Sequence, residues 1–397
     1  MKKFDVVILG AGASGLMCAA QAGYRDLSVL IIDHAPKIAA KIRISGGGKA
    51  NFTNLNVSAE NFICTNPHFV KSALAQYSSQ DFIDLVERHG LAYEQREQGK
   101  LFCQHRASDL IQILRTECDW AGCEFLLNKS VESVTVKNDI YHIKMANETI
   151  QTNNLVISTG ALSFPKLKAT DIGYRLAKQF GLPIVPTFAG LVPLNFKDKY
   201  LTFCQDLSGV ALNVTVSVVN KPKRSFTEPM LFTHQGLSGP AILQISNYWQ
   251  QGEGLEINLL PALDVEAELL NLKKQNIPLS RWLKEHFPKK FYQNWLVLYP
   301  IADRLADVSH ETIKQYAHKL CHWQLYPSAT AGYDKAEVTL GGVDTDCLQS
   351  KDGQVKKQQG LYFIGEVVDV TGQLGGYNFQ WAWSSGYACG VNIKSKS

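Results

Sequence analysis

Near the start of the chain stands Gly10-Ala-Gly12-Ala13-Ser14-Gly15, and 18 residues beyond its last glycine stands Asp33. Residues of these types at these spacings bind a phosphorylated nucleotide. The first glycine permits a tight turn, the second lets a pyrophosphate approach the backbone, and the third lets the next helix pack on the sheet. A helix opening near Ser14 presents free N–H groups and its positive dipole end to phosphate. Asp33, with His34 beside it, stands where a carboxylate accepts hydrogen bonds from a ribose diol. A glycine-rich turn of an unrelated α/β protein also reads this way, so the motif needs a partner.

The partner lies at the other end of the chain. The stretch 360–366 reads as a strand closing on Gly365 and Glu366, where a carboxylate binds a ribityl hydroxyl, and Asp369 is a second candidate for that task. Gly375, Gly376, Tyr377, Asn378 and Phe379 then open a last helix, whose N-terminus suits pyrophosphate or flavin carbonyl oxygens. Together the two ends point to FAD.

Lys41-Ile-Arg43-Ile-Ser45-Gly46-Gly47-Gly48-Lys49-Ala-Asn51 is the most unusual stretch. Three consecutive glycines are costly to order. They make either a flexible solvent loop or a loop whose backbone N–H groups approach an isoalloxazine or phosphate while Arg43 or Lys49 offsets negative charge. Farther on, 232–240 joins a hydroxyl, an imidazole and two glycines before an apparent helix. His234 is the candidate proton donor at a flavin, although a lone histidine near a helix start is more often structural. An ordered water would serve equally. There is no GxSxG elbow, HExxH or CxxC, so serine-hydrolase, metal and disulfide-relay readings lack support.

These residues require a sheet to hold them. Apolar runs at 4–9 and 27–32 suit buried parallel strands flanking a helix that stops at Gly23. Short strands over 124–160 form a meander that returns the chain to the sheet at 155–160, ending in Thr159 and Gly160. A helix over 171–180 follows. From about 191 the period changes to two, with Leu212, Val214, Val216 and Val218 alternating with polar residues. Between 262 and 324 it becomes helical, with Asp264 and Ser309 as N-caps. The expected architecture is α/β: a Rossmann-like FAD domain from 1–190 and 337–397, interrupted by an insert at 191–336. The insert comprises a β part (191–261), a helical part (262–324) and a return (325–336).

Composition narrows the setting. The chain has 397 residues, 45% apolar and 19% charged, with 40 basic and 36 acidic residues. A net charge of +4 is too small to argue for nucleic acid, which is not the expected partner. No run of apolar residues is long enough to span a membrane. Asp5 interrupts what otherwise resembles a signal peptide. Nine scattered cysteines point to a reducing compartment, the cytoplasm.

Five blocks (41–54, 158–165, 232–240, 336–343 and 365–386) resemble the YhiN/BaiN-like flavoproteins, described as NAD(P)/FAD-dependent oxidoreductases. The resemblance spans nearly the whole chain. It implies a glutathione-reductase-type FAD domain, an inserted antiparallel β-barrel with a small helical bundle, and no separate NAD(P) domain. By resemblance, FAD contacts fall at Gly10, Gly12, Ser14, Gly15, Asp33, the 43–49 loop, Val131, Gly160, Glu366, Asn378 and Phe379. Relatives have a Gly-Arg-x-Phe-Pro stretch where this chain reads Gly99-Lys-Leu-Phe-Cys103-Gln-His105, which bears on specificity if that segment borders the substrate. The expected activity is NAD(P)H-driven reduction of a conjugated, enone-like small molecule by hydride from flavin N5. NADH or NADPH would bind transiently. Two alternatives stand beside it: a flavin-dependent RNA-modifying enzyme, using basic clusters at 221–224 and 288–290, and a noncatalytic flavin-binding partner protein.

Overall fold

The apolar run that opens the chain becomes β1 (Lys2–Leu9), buried from Val6 to Leu9 on both faces, as a central parallel strand requires. In the computed structural model, residues 2–219 and 221–394 are described, apart from the side chains of Pro222 and Lys223. The basic stretch at 221–224 thus lies partly outside the described residues.

After β1 come α1 (Ala13–Gly23), β2 (Val29–Asp33), α2 (Ala40–Ile44) and β3 (Asn51–Asn54). Then follow β4 (Tyr93–Gln95), β5 (Lys100–Cys103), α3 (Ala107–Trp120) and β6 (Glu124–Leu127). The meander is β7 (Val131–Lys137), β8 (Ile140–Met145) and β9 (Glu148–Ile157). The chain closes with β10 (Leu361–Phe363) and α4 (Tyr377–Asn392).

A seven-stranded sheet takes the order β6-β2-β1-β9-β8-β7, with β10 also on β9. The β9 strand divides its duties. Over its length it runs parallel to β1; its first half pairs antiparallel with β8, and its last residues pair parallel with β10. Register fixes the consequence. Leu9 lies opposite Ile32 and Ile157, and Ile157 opposite Phe363, so four strands end at one edge. In an open α/β sheet, ligands bind outside the carboxyl ends of the strands.

The chain divides into two units, Met1–Phe188 with Val338–Ser397, and Ala189–Glu337. The second unit is built on a seven-stranded antiparallel sheet. In its strand Ala211–Val218, Leu212, Val214, Val216 and Val218 are buried, as the period-two pattern requires. The helices Val265–Gln275 and His310–Cys321 are capped by Asp264 and Ser309, which accept from Ala267 N–H and Thr312 N–H, both at 3.1 Å. Trp295 is fully buried beside Phe291 and Trp323 in this unit's own core. No helix among the described residues is long and apolar enough to cross a membrane.

Candidate functional site

The glycine turn sits at the shared sheet edge, and its three glycines meet different surroundings. A Cβ on Gly10 would lie 2.4 Å from Ser158 O, and one on Gly15 would lie 2.1 Å from Gly10 O. At Gly12 a Cβ would meet nothing within 4 Å. The outer two glycines are therefore demanded by the protein's own packing, whereas Gly12 faces open space. The α1 helix has no side-chain cap and no acidic residue in its first turn. Its first helical bond runs from Leu16 N–H to Gly12 O at 3.0 Å, leaving the N–H groups of Ala13, Ser14 and Gly15 ahead of it. Uncapped donors beside an open backbone surface are what a pyrophosphate requires.

Asp33 ends β2 and spans the turn. Its Oδ2 accepts from Ala11 N–H and its Oδ1 from Ala35 N–H, each at 2.7 Å. Each oxygen keeps a further acceptor site for a ribose hydroxyl. His34 contacts Asp33 at 3.5 Å, and its Nε2 lies 2.7 Å from Lys168 O. Thr159 and Gly160 follow β9 at the same edge, half-buried, with empty space beside Gly160, whose φ of +70° favours glycine. Val131 stands half-buried at the start of β7.

The C-terminal segment joins this edge by direct packing. A Cβ on Gly365 would lie 2.3 Å from Ser14 Oγ, so the two ends of the chain are in contact where the motifs lie. Glu366 is engaged by the protein itself: Lys41 Nζ approaches its Oε2 at 2.5 Å, and Ser163 Oγ and Thr339 N–H donate to its Oε1 at 3.1 and 3.2 Å. Lys41 also donates to Ser163 Oγ at 2.7 Å. Ser163 and Thr339 were not singled out from sequence, although each lies within a block that carried the resemblance. Asp369 is placed differently. It is buried, and its Oδ2 accepts from both the N–H and the hydroxyl of Thr65, so its carboxylate braces a loop.

The triple glycine is ordered as a turn. Gly46, Gly47 and Gly48 have φ of +55°, +67° and +87°, three consecutive left-handed residues that only glycine adopts without strain. Ser45 Oγ donates to Ile42 O, closing α2. Arg43 is exposed, and Lys49 lies 3.6 Å from Glu94. With its amide oriented to satisfy its neighbours, Asn51 accepts from Gly376 N–H at 3.1 Å at the mouth of α4. Gly375 and Gly376 precede α4, Tyr377 is buried at its first residue, and Phe379 stacks on Trp383. Asn378 ties the preceding loop to the helix by accepting from Gly372 N–H and donating to Gly372 O.

A small antiparallel sheet, β3-β5-β4, was not foreseen from sequence. It settles the orientation of the 99–105 stretch. Leu101 and Cys103 join the core, and burial pushes the Cys103 thiol up to about 12, so it stays neutral and is no nucleophile. Phe102 and Lys100 take the other face. His234 occupies the tight turn between the strands Lys221–Thr233 and Gly236–Ser238 of the second unit, and it is exposed.

An open glycine, an uncapped helix and a carboxylate with spare acceptor capacity at one parallel-sheet edge fit FAD, the arrangement of a Rossmann-type flavoprotein. Comparison with known proteins makes the class specific. The chain belongs to the HI0933-like protein Rossmann domain family, which matches residues 4–392. It is 47% identical over 397 residues to a ribosomal RNA dihydrouridine synthase of Haemophilus influenzae, covering 98% of each chain. A 3-dehydro-bile acid delta(4,6)-reductase of Clostridium scindens is 26% identical, covering 96% of this chain and 97% of its own. The crystal structure of 3-ketosteroid-delta4-(5alpha)-dehydrogenase from Rhodococcus jostii RHA1 matches with a TM-score of 0.50 at 13% identity. It covers 100% of this chain and 97% of that one, a likeness of fold alone.

Proposed function

We propose that this chain is a flavin-dependent reductase of ribosomal RNA that saturates the C5–C6 double bond of uridine, with NADH or NADPH as transient reductant. The observation that carries the reading is the 47% identity, end to end, with a ribosomal RNA dihydrouridine synthase. The chemistry is consistent with the enone expectation. The uracil C5–C6 bond is conjugated to the C4 carbonyl, so it is an electron-poor alkene of the same class. The two readings differ in the scaffold that carries the reacting group, and the bile-acid reductase, at 26% identity, supports the small-molecule scaffold less strongly.

FAD held in the cradle would supply the hydride. The chain's own work is placement. Gly12 and the first turn of α1 would hold the pyrophosphate, and Asp33 the adenosine ribose. Glu366, with its charge balanced by Lys41, would face the ribityl hydroxyls. Arg43 and Lys49 put positive charge beside the glycine turn, where it stabilises negative charge. The uridine would gain a hydride at C6 and a proton at C5, the proton donated by an ordered water.

The test is nucleoside analysis of ribosomal RNA from cells lacking this gene and from cells in which it is restored. Loss of a nucleoside heavier than uridine by two hydrogens, and its return on complementation, is the expected result. An unchanged dihydrouridine content would sink the proposal. A parallel anaerobic spectrum should show the flavin bands bleaching on addition of NADH or NADPH.

A further inference from the structure

The net charge of +4 is unevenly distributed. Residues 41–50 and 91–106 carry Lys41, Arg43, Lys49, Arg96, Lys100 and Arg106 against Glu94 and Glu97, so these two segments alone carry +4. The rest of the chain balances to zero. Residues 189–337 hold 15 basic and 14 acidic residues, and there Lys221 is paired with Glu253 at 2.6 Å. The excess of basic residues therefore lies in the first unit, around the glycine turn, although the charge of Lys41 is balanced there by Glu366.

The two segments are brought together by pairing. Cys103 N–H donates to Lys49 O at 2.9 Å, and α2 packs on α3, whose N-cap is the exposed Arg106. Across the small sheet, Glu94, Phe102 and Asn51 stand in register. On this face the Phe102 ring is covered on one side by Gly46, where a Cβ would lie 2.9 Å from it. Over the ring lies the Arg96 guanidinium, 4.1 Å from its centroid. Glu94 Oε1 accepts from both Arg96 Nε at 2.9 Å and a terminal nitrogen at 2.5 Å, which tethers the guanidinium above the ring. The Arg96 side chain still keeps 45% of its surface exposed. The same sheet braces the start of α4, since Asn54 Nδ2 donates to Gly375 O and Lys100 Cε lies 3.0 Å from where a Gly375 Cβ would stand.

Resting on the RNA reading above, we infer that this rim holds single-stranded RNA, with Arg96 as a planar platform on which an unpaired base stacks and Arg43 and Arg106 as phosphate contacts. Unstacked bases are recognised on aromatic rings and guanidinium planes. A base presented for reduction must leave its stack, so its neighbours need a place to lie beside the cradle. A guanidinium tethered by Glu94 and backed by Phe102 offers that place, and the surrounding cations offset the phosphates.

The test uses purified, flavin-loaded full-length protein and a fluorescein-labelled oligouridine, followed by anisotropy over a range of salt. Arg96→Glu with Arg106→Glu should weaken binding by about tenfold or more near 0.1 M salt and lower the salt slope by about 0.7 for each phosphate no longer neutralised. Arg96→Lys should weaken binding while keeping the slope, because it preserves the charge and loses the plane. Bound-flavin spectra and NAD(P)H oxidation with an artificial acceptor report whether each variant is folded and loaded. RNA binding by the double variant equal to wild type would overturn the rim and leave the RNA reading standing. Wild-type protein that binds no RNA would overturn both.

Discussion

Gly12 and Gly15 stand three residues apart in one turn, yet they answer to different constraints. Gly15 is held to glycine by the Gly10 carbonyl, a contact within the protein, whereas Gly12 is limited only by what approaches from outside. Substituting each with valine should separate these roles. Gly12→Val should give colourless protein, and compared with wild type stripped of flavin, so that bound cofactor adds no stability to either, it should unfold within about 1 kcal/mol. Gly15→Val should lower stability by about 1–3 kcal/mol through overpacking. Thermal unfolding alongside the visible spectrum reads both, and a yellow Gly12→Val protein would remove Gly12 from the pyrophosphate seat. Glu366 makes a related point at the residue scale. Sequence presented it as a carboxylate free for a ribityl hydroxyl, whereas the structure has it bound to Lys41, Ser163 and Thr339, a pre-set acceptor whose charge is already balanced.

At the scale of elements, the site depends on two helices packing more closely than side chains would allow. A Cβ on Gly386 of α4 would lie 2.5 Å from Ser14 O, and one on Gly390 would lie 2.6 Å from Cys18 O, both atoms of α1. Since α1 carries the uncapped N-terminus, pushing α4 away should disturb the phosphate seat as well as the core. Gly386→Val should lower the denaturation free energy by about 1–3 kcal/mol and weaken flavin retention in proportion. Destabilisation with flavin affinity intact would show that the seat is independent of this packing. The longer strands and helices of both units were legible because their signals are long and regular: the apolar run of β1, the alternation of Ala211–Val218, and the caps at Asp264 and Ser309. The β3-β5-β4 sheet was not legible. Its strands are three or four residues long, and Leu101, Phe102 and Cys103 are buried in succession on opposite faces, which erases the period of two. Phe102 has the type of a core residue, yet it lies on the face opposite Leu101 and Cys103, under the Arg96 guanidinium.

For the whole molecule, the question is how far the flavin cradle depends on the interrupting segment. Each unit has its own core: one cluster gathers Leu194 to Leu325, and the other two draw only on the flanking segments. The ends of the insert also lie together, Glu337 N–H donating to Leu191 O at 3.2 Å, so a short splice should bridge the gap at little loop-closure cost. Every residue assigned to the cradle falls in the first unit. We therefore expect a protein in which a short glycine–serine linker replaces Ala189–Glu337 to retain bound flavin. Expressed alone, Ala189–Glu337 should unfold in one cooperative step, with a near-ultraviolet signal from its packed tryptophans. Flavin retained by the spliced first unit would locate cofactor binding wholly in the Rossmann unit and leave the insert to other tasks. A folded but colourless splice would mean that the cradle borrows rigidity from the insert, and its selection of flavin would then be a property of the undivided chain.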